Sequence, residues 1–277
     1  MISVIIPTFN RESLLKKTID SILSQTYQGF ELIIVDDGST DDTPRLISGI
    51  GRKIIYIKQE NKGPASARNL GIKNSSKPFI AFLDSDDSWE KDKLEIQLKA
   101  MRENPDFQIS HTNETWHKNG RLLNQKKKHK KCGGYIFDKC LSLCAVSMST
   151  VMIKKEIFDT VGMFDESLSC CEDYDFWLRA SVKHKFLLIE KPLTLKDGGR
   201  PDQVSSIHRT GIDKFRIKSI LKLLEIATLT PKQQESAKKE LQKKCQIYGK
   251  GCLKHGRAEE GRHYLTMSKP ALGYDLL

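Results

Sequence analysis

The sequence predicts an α/β domain built on a mostly parallel central sheet with helices on both faces, followed by a small C-terminal helical extension. Three observations predict it. Short β-rich runs alternate with helical patterns through the first hundred residues; the first of those runs is almost wholly apolar; and after about Gly211 the pattern turns to long amphipathic helices. The 277 residues suit one sizeable domain, taken as 1–210, plus an extension, 211–277, because single cores stop growing somewhat above roughly 250 residues.

Ser3 to Ile6 is apolar apart from its serine and is closed by Pro7, which fits a strand buried on both faces. A helix follows, with Ser13 as N-cap and Leu15, Ile19, Ile22 and Leu23 at three-to-four spacing. Next come a strand from Phe30 to Val35, a short helix after Asp41-Asp42-Thr43, and a strand from Lys53 to Lys58. Pro64 to Lys73 reads as a helix, Phe79 to Leu83 as a strand, and Glu90 to Glu103 as a helix ended by Asn104-Pro105. From Phe107 the pattern weakens into a strand to Trp116, a basic loop from Lys126 to Lys131, and a strand around Ser149 to Ile153. A helix from Glu172 to His184 carries Tyr174, Phe176, Trp177, Leu178 and Val182 toward the core, and helices over 213–228, 231–255 and Arg257 to Met267 form the extension. Tyr248, Gly249, Gly256, Ala258, Tyr264 and Pro270 loosely match one helical-hairpin repeat of the tetratricopeptide kind, although simple helical packing accounts for them as well.

Hydrophobic content of 38% and charged content of 29% are those of a soluble globular protein, and no run approaches the roughly 20 apolar residues of a membrane span. The opening MISVIIPTFN runs straight into a strand with no basic leader, so a cytoplasmic location is expected, at most peripheral at the inner face of the membrane. Seven cysteines with no CxxC pair do not suggest a disulfide framework, and the spacing of Cys132, Cys140, Cys144, Cys170 and Cys171 matches no usual zinc pattern. The net charge of +11 is uneven: residues 209–263 hold fourteen Lys/Arg against six Asp/Glu, a surplus of +8. Two readings stand open for this tail and for Lys126 to Lys131, a solvated surface or attraction to anionic headgroups or an anionic acceptor. Nucleic acid is not an expected partner, because no aromatic residues are interleaved with the basic run.

Ligands of open α/β sheets bind beyond the carboxyl ends of the strands, and every such end here is polar. The ends are Pro7-Thr8-Phe9-Asn10-Arg11, Asp36-Asp37-Gly38-Ser39, Glu60-Asn61-Lys62-Gly63-Pro64 and Asp84-Ser85-Asp86-Asp87. Any one of them reads equally as a turn with helix-capping residues; four on one rim argue for a site. Three carboxylates at the last tip repel one another unless a cation neutralises them, and hard oxygen ligands in small number suit Mg²⁺ or Mn²⁺. A solvated acidic turn before the helix near Glu90 is the alternative.

Taken together, Ser3-Val-Ile-Ile-Pro7-Thr8-Phe9-Asn10, Val35-Asp36-Asp37-Gly38-Ser39-Thr40-Asp41, Asn61-Lys62-Gly63-Pro64-Ala65-Ser66-Ala67-Arg68-Asn69 and Phe82-Leu83-Asp84-Ser85-Asp86-Asp87 closely resemble family 2 glycosyltransferases of the Rossmann-like GT-A fold. With Glu172-Asp173 the resemblance covers about residues 1 to 210. It implies an inverting enzyme that moves a sugar from a nucleoside-diphosphate donor, UDP-linked by expectation, to an acceptor hydroxyl. The acceptor would be a saccharide or a lipid-linked molecule, with bacterial surface polysaccharide or glycolipid synthesis as the setting. Pro7, Thr8 and Phe9 would line the nucleobase pocket, Asp37 would accept a hydrogen bond from the base, and Arg11 and Arg68 would lie along the donor. Asp84 would stand near the ribose and Asp86 on Mn²⁺ or Mg²⁺, with Asp87 the alternative ligand. Cys171-Glu172-Asp173-Tyr174-Asp175-Phe176-Trp177 matches the family's base motif, which makes Asp173 the general base; helix capping is the rival reading. Gly198 to His208 occupies the place of a loop that closes over the donor, and His208 would reach the metal or the diphosphate, unless it is merely structural. Two other functions remain as rivals: a phosphohydrolase, which would normally carry its acidic pair on the first strand, and a non-catalytic nucleotide-binding scaffold, which has no need of clustered carboxylates.

Overall fold

The computed structural model describes residues 1–269 apart from 52, 53, 119, 201, 208–210 and 227. The chain opens with β1 (Ile2–Thr8), α1 (Glu12–Leu23), β2 (Phe30–Asp36), α2 (Thr43–Ser48), β3 (Ile54–Lys58), α3 (Pro64–Lys73) and β4 (Phe79–Phe82). It continues through β5 (Asp87–Trp89), α4 (Lys93–Glu103), β6 (Ile109–Lys118), β7 (Arg121–Leu123), α5 (Phe137–Ser142), β8 (Val151–Lys154), α6 (Ile157–Val161) and α7 (Glu172–Ser181). Last come β9 (Phe186–Gly198), α8 (Val204–Ile207), α9 (Ile212–Ile226), α10 (Pro231–Lys254) and α11 (Ala258–Met267). One sheet runs in the order β3-β2-β1-β4-β8-β6-β9-β5, with β7 paired to β6.

The first half of the sheet is parallel: β1 pairs β2 and β4, and β2 pairs β3. Beyond β4 it continues with antiparallel β8, which returns against both β4 and β6, while β9 runs parallel to β6 and β5 antiparallel to β9. The apolar run of β1 follows from burial on both faces. Ile2, Val4 and Ile6 join Leu15, Ile19 and Ile22 of α1 and Leu94, Leu98 and Met101 of α4 on one side. Ile5 faces the other side, where it packs with Ile33, Val35, Ala65, Ala67 and Ile72. There α3 lies so close to the sheet that a Cβ added at Gly71 would come 2.5 Å from Cγ2 of Ile5.

Several boundaries differ from the sequence reading. Ser13 does not cap α1, because the backbone amides of Arg11 and Glu12 bond Thr43 Oγ1 and Asp41 Oδ2 and draw the start of the helix back to Arg11. The helix expected from Glu90 begins at Lys93, since residues 87–89 extend as β5 against β9. β9 itself was not anticipated. Pro192 interrupts its pattern, and in the sheet this proline sits opposite Asn113, where the pairing with β6 shifts register on both sides of that residue. A bulge there accommodates a residue that cannot donate to a ladder.

The C-terminal helices do not stand apart. Ile217, Ile220 and Leu223 of α9 and Ala237, Leu241, Cys245, Tyr248 and Cys252 of α10 belong to the same core cluster as Phe176 and Trp177 of α7. Thr230 begins α10 with a full capping box: its hydroxyl takes the Gln233 amide, and the Gln233 side chain takes the Thr230 amide. Among the described residues no helix is long and apolar enough to cross a membrane. Cys140, Cys170, Cys171, Cys245 and Cys252 are buried, and all seven cysteines are free.

Candidate active site

The parallel strands β1, β2 and β4 deliver their carboxyl ends to one rim, as the register of Thr8 with Asp36 and the run of β4 toward Asp84 require. At the β1 end Thr8 is buried with its hydroxyl unpaired, Pro7 is half-buried, and Phe9 is 42% exposed. Beside them Asp37 is fixed by the neighbouring loop between β3 and α3: Oδ1 accepts from Gln59 Nε2 at 2.6 Å and the Lys62 amide at 2.8 Å, and Oδ2 accepts from the Gly63 amide at 2.8 Å. Gly63 opens α3 at φ +88, a conformation that favours glycine. Arg11 reaches across the rim to Asp202, Nη1 to Oδ2 at 2.8 Å, and also donates to the Asp202 carbonyl at 3.0 Å.

A second set of groups surrounds the tip of β4. Arg68 of α3 is buried, with Nη2 2.9 Å from Asp84 Oδ1 and Nη1 2.5 Å from Glu172 Oε1. Burial opposes its charge, but Glu172 and Asp84 outweigh burial and hold the guanidinium firmly protonated. Burial likewise pushes Asp84 up, and Arg68 and then Lys196 more than reverse it, so its pKa lies below the usual carboxylate value. Asp87 turns inward, accepting from Ser149 Oγ at 2.6 Å with Lys196 Nζ 2.9 Å away. Burial, reinforced by Asp84 and Asp86 and only partly offset by Lys196, pushes it up to about 7. Asp86 is partly exposed, and there Arg200 pairs with Oδ2 and Gln203 Nε2 donates to the same oxygen at 3.2 Å.

Asp173 lies in the first turn of α7, next to Glu172. Its Oδ1 accepts from the Tyr174 amide at 2.6 Å and its Oδ2 from the Cys144 thiol at 3.1 Å. Burial, and next the Asp173 carboxylate, raise that thiol well above its ordinary pKa. Cys171, just before the helix, holds φ 66, a left-handed conformation uncommon for a residue with a side chain. Because Arg68 takes Glu172, Asp173 is the half-exposed carboxylate of the pair and has no basic partner among the described ion pairs.

The structure therefore brings Arg68, Asp84, Asp86, Asp87 and Asp173 into one constellation and leaves Thr8, Phe9 and Asp37 on the adjoining part of the rim. His208 lies outside the described residues. The cations that answer the repulsion expected among the three aspartates include side chains of the chain itself, Arg68, Lys196 and Arg200. Among the described residues no three His, Cys, Asp or Glu side chains gather as a ready metal cage. The Asp84 and Asp86 side chains are 28% and 17% exposed, while Asp87 is 2% exposed and engaged by Ser149 and Lys196. Sequence reading missed Lys196, Ser149 and Cys144: Lys196 rides on β9, and Ser149 sits in a single turn of 3₁₀ helix, so neither had a local signature.

A family model described as glycosyl transferase family 2 matches residues 3–162. An uncharacterised glycosyltransferase of Rickettsia conorii is 42% identical over 201 residues, which cover 70% of this chain and 32% of the relative. The chain spans about a third of the length of the first curated relatives it matches, 32%, 32% and 28%. It is also 32% identical over 180 residues to the Escherichia coli UDP-Glc:alpha-D-GlcNAc-diphosphoundecaprenol beta-1,3-glucosyltransferase WfgD, covering 64% of this chain and 68% of that one. Among solved structures, Staphylococcus aureus TarS 1-349 in complex with UDP-GlcNAc aligns with a TM-score of 0.67 at 19% identity, covering 96% of this chain and 90% of that one. A Pyrobaculum calidifontis mannosyltransferase in complex with GDP-Man and Mn²⁺ gives 0.68 at 16% identity, covering 96% and 83%. At such identities the structural likeness establishes the fold, which is GT-A.

Proposed function

The chain belongs to glycosyltransferase family 2, and from that premise we propose that it transfers a sugar, with inversion, from a nucleoside-diphosphate donor to an acceptor hydroxyl. One observation carries the reading: buried Arg68 bonds Asp84 at the donor tip and Glu172 beside Asp173, tying the donor end of the site to the base in one ion network. A buried ion network of this kind is costly to build, and fixing two reacting groups at a set separation is what it accomplishes.

The unpaired Thr8 hydroxyl, the exposed Phe9 ring and Asp37 support a nucleobase pocket at the ends of β1 and β2. A UDP-sugar is the donor favoured by the names of the relative WfgD and the neighbour TarS. Arg11 and Arg200, which now pair with Asp202 and Asp86, are the cations within reach of a diphosphate. Asp86 is the ligand through which Mn²⁺ or Mg²⁺ would be held, completed by diphosphate oxygens and water. Such an ion, when bound, supplies charge stabilisation to the leaving diphosphate. Asp173 accepts the proton of the acceptor hydroxyl as that oxygen bonds the anomeric carbon and the bond from that carbon to the diphosphate oxygen breaks; attack from the opposite face inverts the centre. The Cys144 thiol and the Tyr174 amide orient the carboxylate without neutralising it. A lipid-linked acceptor is favoured by the name of WfgD and by the exposed face of α10, which presents Lys232, Lys239, Lys243, Lys250 and Lys254 to anionic headgroups.

The test is Asp173→Asn, assayed for transfer and for UDP binding with Mn²⁺ present. Transfer is expected to fall by about 10²- to 10⁴-fold, the worth of a general base, with UDP binding kept. Loss of nucleotide binding instead would remove Asp173 from the role of base.

A further inference from the structure

Glu114 is a buried carboxylate that the transfer chemistry above leaves unused. It lies on β6 opposite Thr194 of β9, and two residues on Trp116 lies opposite Lys196, so all four side chains share one face of the sheet. Its Oε1 stands 3.2 Å from Lys131 Nζ and accepts from the Trp116 indole at 2.9 Å. Its Oε2 is buried with no hydrogen-bond partner. An unmatched buried polar atom costs about 1–3 kcal/mol, and more when charged, so an oxygen held bare in this way is explained by a donor that arrives with a ligand.

The position favours a ligand of this reaction. On one side is Lys196, whose ammonium feels the Glu114 charge while lying 2.9 Å from Asp87 and 3.9 Å from Asp84 and donating to Ser147 at 3.0 Å. On the other side Lys131 acts on the Cys144 thiol, which bonds Asp173. Glu114 thus lies on the sheet face that carries Lys196, beside the donor tip. The half-buried Trp116 ring beside it packs at a tilt on His129, centroids 5.4 Å apart, and Gln125 Nε2 holds the basic loop down on the Glu114 carbonyl at 2.9 Å. A carboxylate that accepts from hydroxyls, an ammonium that donates to them and an indole ring that packs on C–H groups are together the complement of a pyranose.

We propose that Glu114, Trp116 and Lys131 form a saccharide subsite in which Glu114 Oε2 accepts a hydrogen bond from a sugar hydroxyl. This rests on the glycosyltransferase reading, and the hydroxyl belongs either to the sugar being transferred or to the acceptor.

Glu114→Gln, which keeps the size and the Trp116 bond, separates the two sources. Wild type and variant are titrated with UDP and with UDP-glucose, UDP-galactose and UDP-GlcNAc. UDP release is then followed with water alone and with a panel of alkyl glucosides and N-acetylglucosaminides. A donor-sugar site predicts a loss of about tenfold or more in affinity for the preferred UDP-sugar and none for UDP, the worth of one hydrogen bond to a charged group. An acceptor site predicts unchanged nucleotide affinities and a KM for the stimulating glycoside raised by about tenfold. Equality with wild type in both arms overturns the subsite. Should Glu114→Gln not fold, Trp116→Ala is held to the same outcomes. Absence of nucleotide-sugar binding in the wild type would defeat the glycosyltransferase reading first, a failure distinct from a variant that merely behaves like wild type.

Discussion

Asp87 shows how one residue is pulled between structure and charge. Its folded pKa of about 7 stands above the ordinary value of about 4, so between those limits the folded state binds the proton that the unfolded state has already released. Its contribution is therefore most favourable below about pH 4 and is lost as pH rises toward about 7. Asp87→Asn, which keeps an oxygen for Ser149, is expected to gain stability relative to wild type progressively across that window; melting curves of both proteins between pH 4 and pH 8 check it, and a difference independent of pH would contradict the assignment. Gly71 poses a steric case: Gly71→Ala drives a methyl to within 2.5 Å of Ile5 and should cost about 1–3 kcal/mol by denaturant unfolding, outweighing alanine's helix preference of roughly 1 kcal/mol. At this scale the acidic tip and the Glu172-Asp173 pair were visible in the sequence, because carboxylates at a strand end and at a helix start are unusual where they lie. Their counter-charges were not. Nothing local announces that Lys196 of β9 reaches the tip, and although Gly198 to His208 was expected to close over the donor, the pairing of Arg200 with Asp86 had no signal, since both partners are more than a hundred residues away.

Elements were legible where one periodicity ruled. α3 and the C-terminal helices fall within a residue or two of their expected bounds, because apolar spacing, Pro64, Pro231 and the helix end at Gly256 are local signals. β9 was not, since Pro192 breaks its pattern and the sheet absorbs it by shifting register, a solution decided by β6. The capping box of α10 makes a direct prediction: Thr230→Ala should lower stability by about 1 kcal/mol in denaturant unfolding. The segment after β9 makes another. With Arg200 and Gln203 both on Asp86, Arg200→Gln should leave Asp86 freer and strengthen Mn²⁺ binding in the absence of nucleotide; calorimetry giving an unchanged affinity would mean that Asp86 is not the ligand.

In the whole molecule, the sheet and the C-terminal helices share a core, with Ile217, Ile220, Leu241 and Cys245 in the cluster that holds Trp177 and Phe186. A chain ended at residue 210 would strip the covering from α7, the helix that carries Asp173, and is expected to show a lower, broadened melting transition than the full chain. Part of the basic surplus of the tail is answered by the domain before it, since Lys222 pairs with Asp165, which composition could not reveal; Arg216 with Asp213 and Lys244 with Glu240 pair within the tail and leave the surplus unchanged. Fold class was readable because alternating strands and helices leave few topologies open, whereas the proposed saccharide subsite joins Glu114 and Trp116 of β6 to Lys131 of the basic segment, a meeting that no local pattern marks. The central claim, that this rim binds a nucleotide sugar, is tested most directly by calorimetric titration of the full chain with UDP-, dTDP- and GDP-sugars in Mn²⁺, repeated with excess chelator. Saturable binding of at least one donor, weakened by the chelator, is the predicted result; no binding of any donor would contradict the account.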